Sequence, residues 1–369
     1  MESAEMKEKF DVAVIGGGPA GSSAAITAAR LGFNVLLLEA GSFPRQKVCG
    51  EFVSGEALNI LADLVGEEQF ADAPRISRAR IFVEEACATL PVAPPAASIS
   101  RYNLDAALYK ACALAGCVVR DRTHAQSAAP SQNGFVIRLE SGEIFARAVI
   151  NATGRWSNLA KRRVPANEQF IGLKGHFFEP DCSSSCDLYF FHGGYCGVQP
   201  VGNGLVNAAA MVNPSVAKNL TSVFALNRDL KERSRRWKAA GDLISTAPLI
   251  FRAPMTSSDG MLLVGDAAAF LDPFAGDGIS IALHSGCLAA EAIGRFLLGN
   301  CTLEDSVSHY DREYRRLIHP ALNGAKRLRT LQRLPAGLRA AAVACLNIPF
   351  LGRTAVKTTR VRTAGRQVA

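Results

Sequence analysis

Three glycines and one acid stand at spacings that suit a nucleotide. Gly16, Gly18 and Gly21 form G-x-G-x-x-G within GGGPAGSSAA (16–25), and Glu39 follows 18 residues after Gly21. Gly16 permits a tight turn, and Gly18 lets the backbone approach a pyrophosphate. Gly21 lets the next helix sit close on a sheet, so that phosphates meet the positive helix end. An acid at the position of Glu39 accepts both hydroxyls of a ribose and repels a 2′-phosphate, which suits FAD or NAD rather than NADP.

Two later stretches carry chemistry of the same kind. In NATG (151–154), Thr153 and Gly154 lie just past a strand end, where a glycine lets backbone lie close to a ligand. In GMLLVGDAAAFLDPFAGDGISIAL (260–283), Gly265-Asp266 closes an apolar run, and Pro273, Gly276 and Gly278 lead into a helix expected from Ile279. An aspartate at the end of a buried strand beside a dinucleotide suits a ribityl hydroxyl. Backbone N–H groups at 276 and 278 would stabilise negative charge on a reduced flavin. Arg45 and Lys47 offer cations near a phosphate or adenine edge, and Gly50 allows close approach to a ring. Cys49 reads either as a small buried residue or as a group facing the reaction. His176 and His192 stand among aromatic residues and read as scaffold or as proton donors.

The elements that must hold these residues are legible as alternating strands and helices. Phe10–Ile15 reads as a buried strand, Ser22–Leu31 as a helix, and Val35–Leu38 as the next strand. A helix is expected from Ala57 to Leu64, and another from Ala106 to Leu114 capped by Asn103 or Asp105. Strands are expected at 117–119, in a hairpin over 135–151, and at 261–264. Residues 75–100, rich in proline, and the aromatic stretch 168–255 read as a separate sheet-rich part, with 214–243 helical. The expected organisation is an α/β Rossmann-like nucleotide domain (1–74, 101–167 and 256–300), an inserted sheet-rich α+β substrate domain (75–100 and 168–255), and a helical basic region (301–369).

Composition narrows the class. The 369 residues are 49% hydrophobic and 20% charged, enough for a large globular core. No apolar run approaches the length of a spanning helix, and MESAEMKEKF has no signal-peptide core. Ten cysteines in a chain of this size suit a reduced, cytoplasmic protein. Neither Cys112/Cys117 nor Cys182/Cys186 is a CxxC pair, and no histidine cluster completes a zinc set, so no metal is expected. From Tyr314 onward there are twelve Arg or Lys and no acid, so the net charge of +8 belongs to the tail. That placement argues against a nucleic-acid groove across the fold. Within the tail, 334–352 is apolar with basic flanks. It reads either as a packing helix or as a segment that meets an anionic membrane or a lipid-like substrate.

Taken together, GGGPAGSSAA, Glu39, Arg45, Arg101, NATG and GDAAAFLDPFAGDGISIAL (265–283) resemble the FAD-dependent oxidoreductases of the aromatic-hydroxylase fold. RQKVCGEFVSGEAL (45–58), RYNLDAAL (101–108) and the FLDPFAGDGISIAL form are most similar to the geranylgeranyl reductase branch, with flavin-dependent halogenases as close relatives. The resemblance implies FAD held by Gly16, Gly18, Pro19, Ala20, Gly21, Glu39, Ala40, Arg45, Cys49, Gly50, Arg101, Thr153, Gly154, Gly265, Asp266, Pro273, Gly276, Asp277, Gly278 and Ile279. The halogenase W-x-W-x-I-P signature is absent. GGYCGVQP (193–200) stands where relatives carry a tryptophan, and Phe270 where hydroxylases often carry histidine.

The expected activity is reduction of a carbon–carbon double bond of a hydrophobic or isoprenoid-like substrate by hydride from flavin N5. Cys49, His192 and Tyr195 are the candidate proton donors. NAD(P)H or a protein donor would bind transiently, since no second G-x-G-x-x-G is present. The alternative is an FAD-dependent monooxygenase acting through a C4a-hydroperoxide. The expected state is a monomer or weak dimer.

Overall fold

The structure, a computed structural model, describes residues 8–156, 159, 170–246, 248, 249, 251, 253–270, 272–331 and 334–362. Its first sheet has the strand Glu8–Ile15 at its centre. Val35–Leu38 pairs with it in parallel on one side and Gly142–Asn151 on the other; Val118–Arg120 and Met261–Leu263 extend the parallel set outward. The hairpin Ser127–Ser131/Gly134–Leu139 is added antiparallel to Gly142–Asn151.

The central strand is apolar without alternation because both of its faces are covered. Val12 and Val14 pack into the cluster shared with the helices. Ala13 and Ile15 pack on the opposite face with Phe135 and Ile137 of the hairpin. The helix that follows runs from Pro19 to Arg30, three residues earlier than expected, and its side chains are almost all small and buried. Small residues let it lie directly against the long helix Gly278–Leu297. A Cβ on Gly286 would stand 2.1 Å from Ser23 Oγ and 2.2 Å from the Ala20 carbonyl oxygen.

The second sheet has eight strands in the order Ile244–Ser245, Ile171–Phe178, Leu205–Val212, Gly194–Gly202, Ser185–Phe191, Arg75–Val83, Ala86–Ser98 and Phe52–Val53. All pairs are antiparallel except Ser185–Phe191 with Arg75–Val83. Phe52–Val53 comes from the stretch assigned by sequence to the nucleotide part, and it ties the Cys49 loop to this sheet. A buried carboxylate, Asp187, locks one face: it accepts from Arg80 Nε (2.7 Å), Arg233 Nη1 (2.6 Å) and Ser185 Oγ (2.7 Å).

Local capping corrects two sequence expectations. The helix after the second sheet's first hairpin starts at Arg101, capped by Ser100 Oγ, which accepts from the Asn103 N–H (3.2 Å). Asp105 is unavailable as a cap because Arg101 holds it. The stretch 214–243 forms only two short helices, Leu220–Phe224 and Arg228–Ser234, capped by Asn219 and Asn227. The tail is helical over Leu303–Leu317, His319–Leu331, Ala336–Cys345 and Pro349–Thr358, and the last two helices pack on Ala86–Ser98.

Gly286→Ala is expected to lower stability by about 2 kcal/mol, because the added methyl meets backbone that cannot rotate away. The urea midpoint measures it; an unchanged midpoint would show that the two helices part easily.

Candidate active site

A cavity of about 870 Å³ opens where the carboxyl ends of the parallel strands meet the second sheet, the place where ligands bind in such folds. At its floor Gly16 has φ +109°, and a Cβ there would stand 2.3 Å from the Ala152 carbonyl oxygen. Gly21 supports it from behind, since a Cβ on Gly21 would overlap the Gly16 carbonyl oxygen at 1.7 Å. Gly18, Gly50, Gly154 and Gly278 differ from these two. They line the cavity, and nothing of the protein lies within 4 Å of where their Cβ atoms would be. These are cradles open to a ligand. The helix Pro19–Arg30 starts at Gly18 with no side-chain cap and no acid in its first turn, leaving its N–H groups to an anion. The residues present therefore fit a dinucleotide pyrophosphate.

Glu39, 7% exposed, is held by four donors. Oε1 accepts from the Gly41 N–H (2.8 Å) and Arg45 Nη1 (2.5 Å); Oε2 accepts from the Gly17 N–H (2.8 Å) and Arg45 Nη2 (2.8 Å). Burial alone would raise its pKa, but Arg45 and the two amides outweigh it and hold the carboxyl at about 2. Arg45 is itself backed by Phe43, whose ring stacks on Tyr109. A ribose would have to displace or share the Arg45 fork to reach Glu39. Asp266 opens on the cavity with Arg155 Nε 3.8 Å away, and Arg155 lies over the Phe270 ring. Asn151 Oδ1 accepts from both the N–H (3.1 Å) and the hydroxyl (2.6 Å) of Thr153, fixing the strand end that carries Gly154.

All the cofactor residues expected from sequence line the cavity except Gly21 and Asp277. Asp277 is fully buried and faces the tail: its Oδ2 accepts from the Val361 N–H (2.8 Å), and Arg360 Nη1 lies 3.7 Å from Oδ1. Gly276 lines the cavity, but its N–H donates to the Pro273 carbonyl rather than into the cavity, and a Cβ there would stand 3.1 Å from the Phe52 ring. Of the three candidate proton donors, Cys49 and Tyr195 line the cavity and His192 does not. His192 sits exposed in the turn between Ser185–Phe191 and Gly194–Gly202. That turn needs Gly193 at φ +82°, which explains the His-Gly-Gly sequence without chemistry.

Cys49 is half-buried and well tethered. Its sulfur accepts from the Glu51 N–H (3.3 Å), and its carbonyl accepts from Asn207 Nδ2 (3.0 Å). The guanidinium of Arg101 lies against Cys49 and is held by Asp105 through paired bonds of 2.6 and 2.7 Å. Tyr195 is buried among Phe190 and Phe274, and burial drives its phenol well above the usual range.

Sequence reasoning did not single out Glu51. It takes φ +62° immediately after Cys49-Gly50 and is fully buried. Its Oε1 accepts from Lys174 Nζ (2.5 Å) and the Arg101 N–H (2.8 Å), and its Oε2 pairs with His176 Nε2 (2.8 Å). Lys174 Nζ also donates to Gln46 Oε1 (2.9 Å). Burial pushes the Glu51 carboxyl up, but His176 and Lys174 bring it below its ordinary value. His176 is thus a scaffold partner of this carboxylate. The available signal was Lys174 and His176 two apart on an otherwise apolar strand, which places both on one face.

Residues 11–68 match the FAD dependent oxidoreductase family. The chain is 30% identical over 336 residues to a digeranylgeranylglycerophospholipid reductase of Methanosphaerula palustris, covering 84% of this chain and 82% of that one. Two solved structures share the fold. The flavin-dependent brominase Bmp2 has a TM-score of 0.81 at 21% identity, over 95% of this chain and 93% of its own. A geranylgeranyl bacteriochlorophyll reductase-like protein of Thermoplasma acidophilum has 0.77 at 22% identity, over 96% of each. The fold and the site thus define an FAD-dependent oxidoreductase. Within that class, the chain belongs to the digeranylgeranylglycerophospholipid reductase family.

Glu51→Gln is expected to lower stability by about 3 kcal/mol, because Lys174 is left charged and buried without its partner. Since the folded-state pKa of Glu51 lies below its ordinary 4.5, the wild type loses this contribution as pH falls below that value. The variant lacks that part of the acid dependence. Urea titrations between pH 7 and 3 measure both; a loss under about 1 kcal/mol at pH 7 would contradict the role of the pair.

Proposed function

We propose that the protein reduces carbon–carbon double bonds of an isoprenoid chain, with NAD(P)H or a protein donor as a transient reductant of FAD. One observation carries the reading: a single cavity runs from Gly18 and Glu39 past Cys49 and Arg101 to an apolar wall on the second sheet. The reductase names of the relatives support this reading over oxygen chemistry.

FAD, when bound, supplies the hydride for one carbon of the double bond. Cys49 gives its thiol proton to the other carbon. Arg101, fixed by Asp105, stabilises the thiolate that remains until solvent returns the proton. Tyr195, whose buried phenol keeps its proton, acts with Phe270 and Phe274 as wall, excluding water and guiding an apolar chain. Gly197 stands in that wall, and a Cβ there would have only Leu188 Cδ2 (3.4 Å) and the Ala209 carbonyl oxygen (3.8 Å) near it. Its lack of a side chain leaves room for a long substrate.

Cys49→Ala is expected to lower the saturated rate of double-bond reduction by about 100-fold, with FAD content and the rate of flavin reduction unchanged. Mass spectrometry of the product, with two hydrogens gained per bond reduced, reads the first. Turnover equal to wild type would remove Cys49 as the donor. Gly197→Trp is expected to abolish turnover of a geranylgeranyl substrate while FAD stays bound and a short prenyl substrate is still reduced. Unchanged turnover of the long substrate would show that the chain lies elsewhere.

A further inference from the structure

The helices Ala336–Cys345 and Pro349–Thr358 present apolar side chains that cover nothing. Phe350 is 75% exposed, Leu338 58%, Ile348 53% and Leu351 40%. The second helix is held firmly on its other side. Gly352 is buried, and a Cβ there would stand 2.8 Å from Leu90 Cδ2 of the second sheet. The exposed side chains therefore belong to a docked helix with one face left open.

Charge distinguishes this face from an ordinary surface. Residues Phe350, Arg353, Thr354 and Lys357 are spaced i, i+3, i+4 and i+7, so they share one side of the helix. Arg353 and Lys357 are exposed, and neither makes an ion pair among the described residues. Several other arginines of the tail are paired, Arg315 with Asp311, Arg316 with Glu313, Arg329 with Asp272, Arg339 with Glu84 and Arg360 with Asp277, so the aromatic residue beside two unpaired cations, rather than charge alone, marks this face. An aromatic tip with two unpaired cations behind it fits a surface that is apolar beneath and anionic at its boundary.

The helix also connects this face to the cavity. Val356, in its last turn, and Arg360, just beyond its end, line the cavity wall. Phe350 and Val356 are six residues apart, about 9 Å along the axis. Beyond the helix, Arg360 Nη1 donates to the Ala275 carbonyl (3.1 Å), and the Val361 N–H donates to Asp277, both in the loop that opens onto the cavity.

We infer that this face docks on an anionic lipid bilayer, with Phe350, Leu351 and Ile348 entering the boundary region and Arg353 and Lys357 meeting the headgroups. Docking there places the cavity within one helix length of the membrane. The role for catalysis rests on the reading of the cavity as a lipid-chain site, while the docking itself does not. No described helix is long and apolar enough to cross a membrane, so the contact is peripheral.

The test is sedimentation of the FAD-loaded full chain with vesicles of phosphatidylcholine alone or mixed with phosphatidylglycerol, in rising salt. Binding is expected only to the mixed vesicles and is expected to fall with salt. Arg353→Gln/Lys357→Gln should weaken it about 20- to 30-fold and flatten the salt dependence. Phe350→Glu/Leu351→Glu should abolish it while FAD content and reduction of a detergent-dispersed substrate stay at wild-type levels. Equal binding to both vesicle types, no binding, or variants that bind like wild type would overturn the inference. So would self-association of the wild type without vesicles that Phe350→Glu/Leu351→Glu abolishes, since the face would then join two copies. Vesicle binding is read without turnover, so its failure is distinct from failure of the reductase reading.

Discussion

The close contact of Gly16 with the Ala152 carbonyl is the constraint on which the site depends. It brings the carboxyl ends of two neighbouring parallel strands together at a distance that no side chain permits. Gly21 and Gly286 continue the same device outward, the first seating a helix on the turn and the second seating another helix on the first. The result is a floor made of backbone, with a helix N-terminus aimed over it. Glu39 stands at the end of the next strand, held in place by four donors. A ligand with two phosphates would meet N–H groups the fold has already oriented, while its ribose would have to displace or share the Arg45 fork on Glu39.

The second sheet completes the cavity, and Glu51 joins the two halves. One buried carboxylate holds Lys174 and His176 of that sheet and the first N–H of the helix that carries Arg101. The same residue follows the Cys49-Gly50 turn and returns its own N–H to the Cys49 sulfur. The position of Cys49 is thus set by a charge network rather than by packing alone. The tail adds a further hold on the site, because Arg329 and the Arg360–Val361 segment reach Asp272 and Asp277 at the two ends of a loop that lines the cavity. Burial pushes Asp272 up to about 6 even beside Arg329 and the Phe274 amide, which marks that loop as expensive to enclose.

Much of this was legible because it is local. The turn glycines, Glu39 and the run from Gly265 to Ile279 each carry their reason within a few residues. The alternation of strand and helix placed them on one sheet. The missed features depend on register between distant segments. Glu51 meets Lys174 across 123 residues and His176 across 125, and Asp277 meets Val361 across 84. No local period encodes such meetings. Asp277 accordingly reads as a cofactor residue from its neighbours, whereas the fold turns it to the tail. His192 stands among aromatics in the chain, yet hairpin geometry puts it in water.

The central claim is that the cavity delivers hydride to an isoprenoid double bond without oxygen. A single turnover under anaerobic conditions tests it most directly: enzyme carrying reduced FAD is mixed with a geranylgeranyl lipid, and flavin absorbance and product mass are followed together. The account predicts that the flavin reoxidises at the rate at which product gains two hydrogens. Flavin that stays reduced until oxygen is admitted, with product then gaining an oxygen atom, would contradict it.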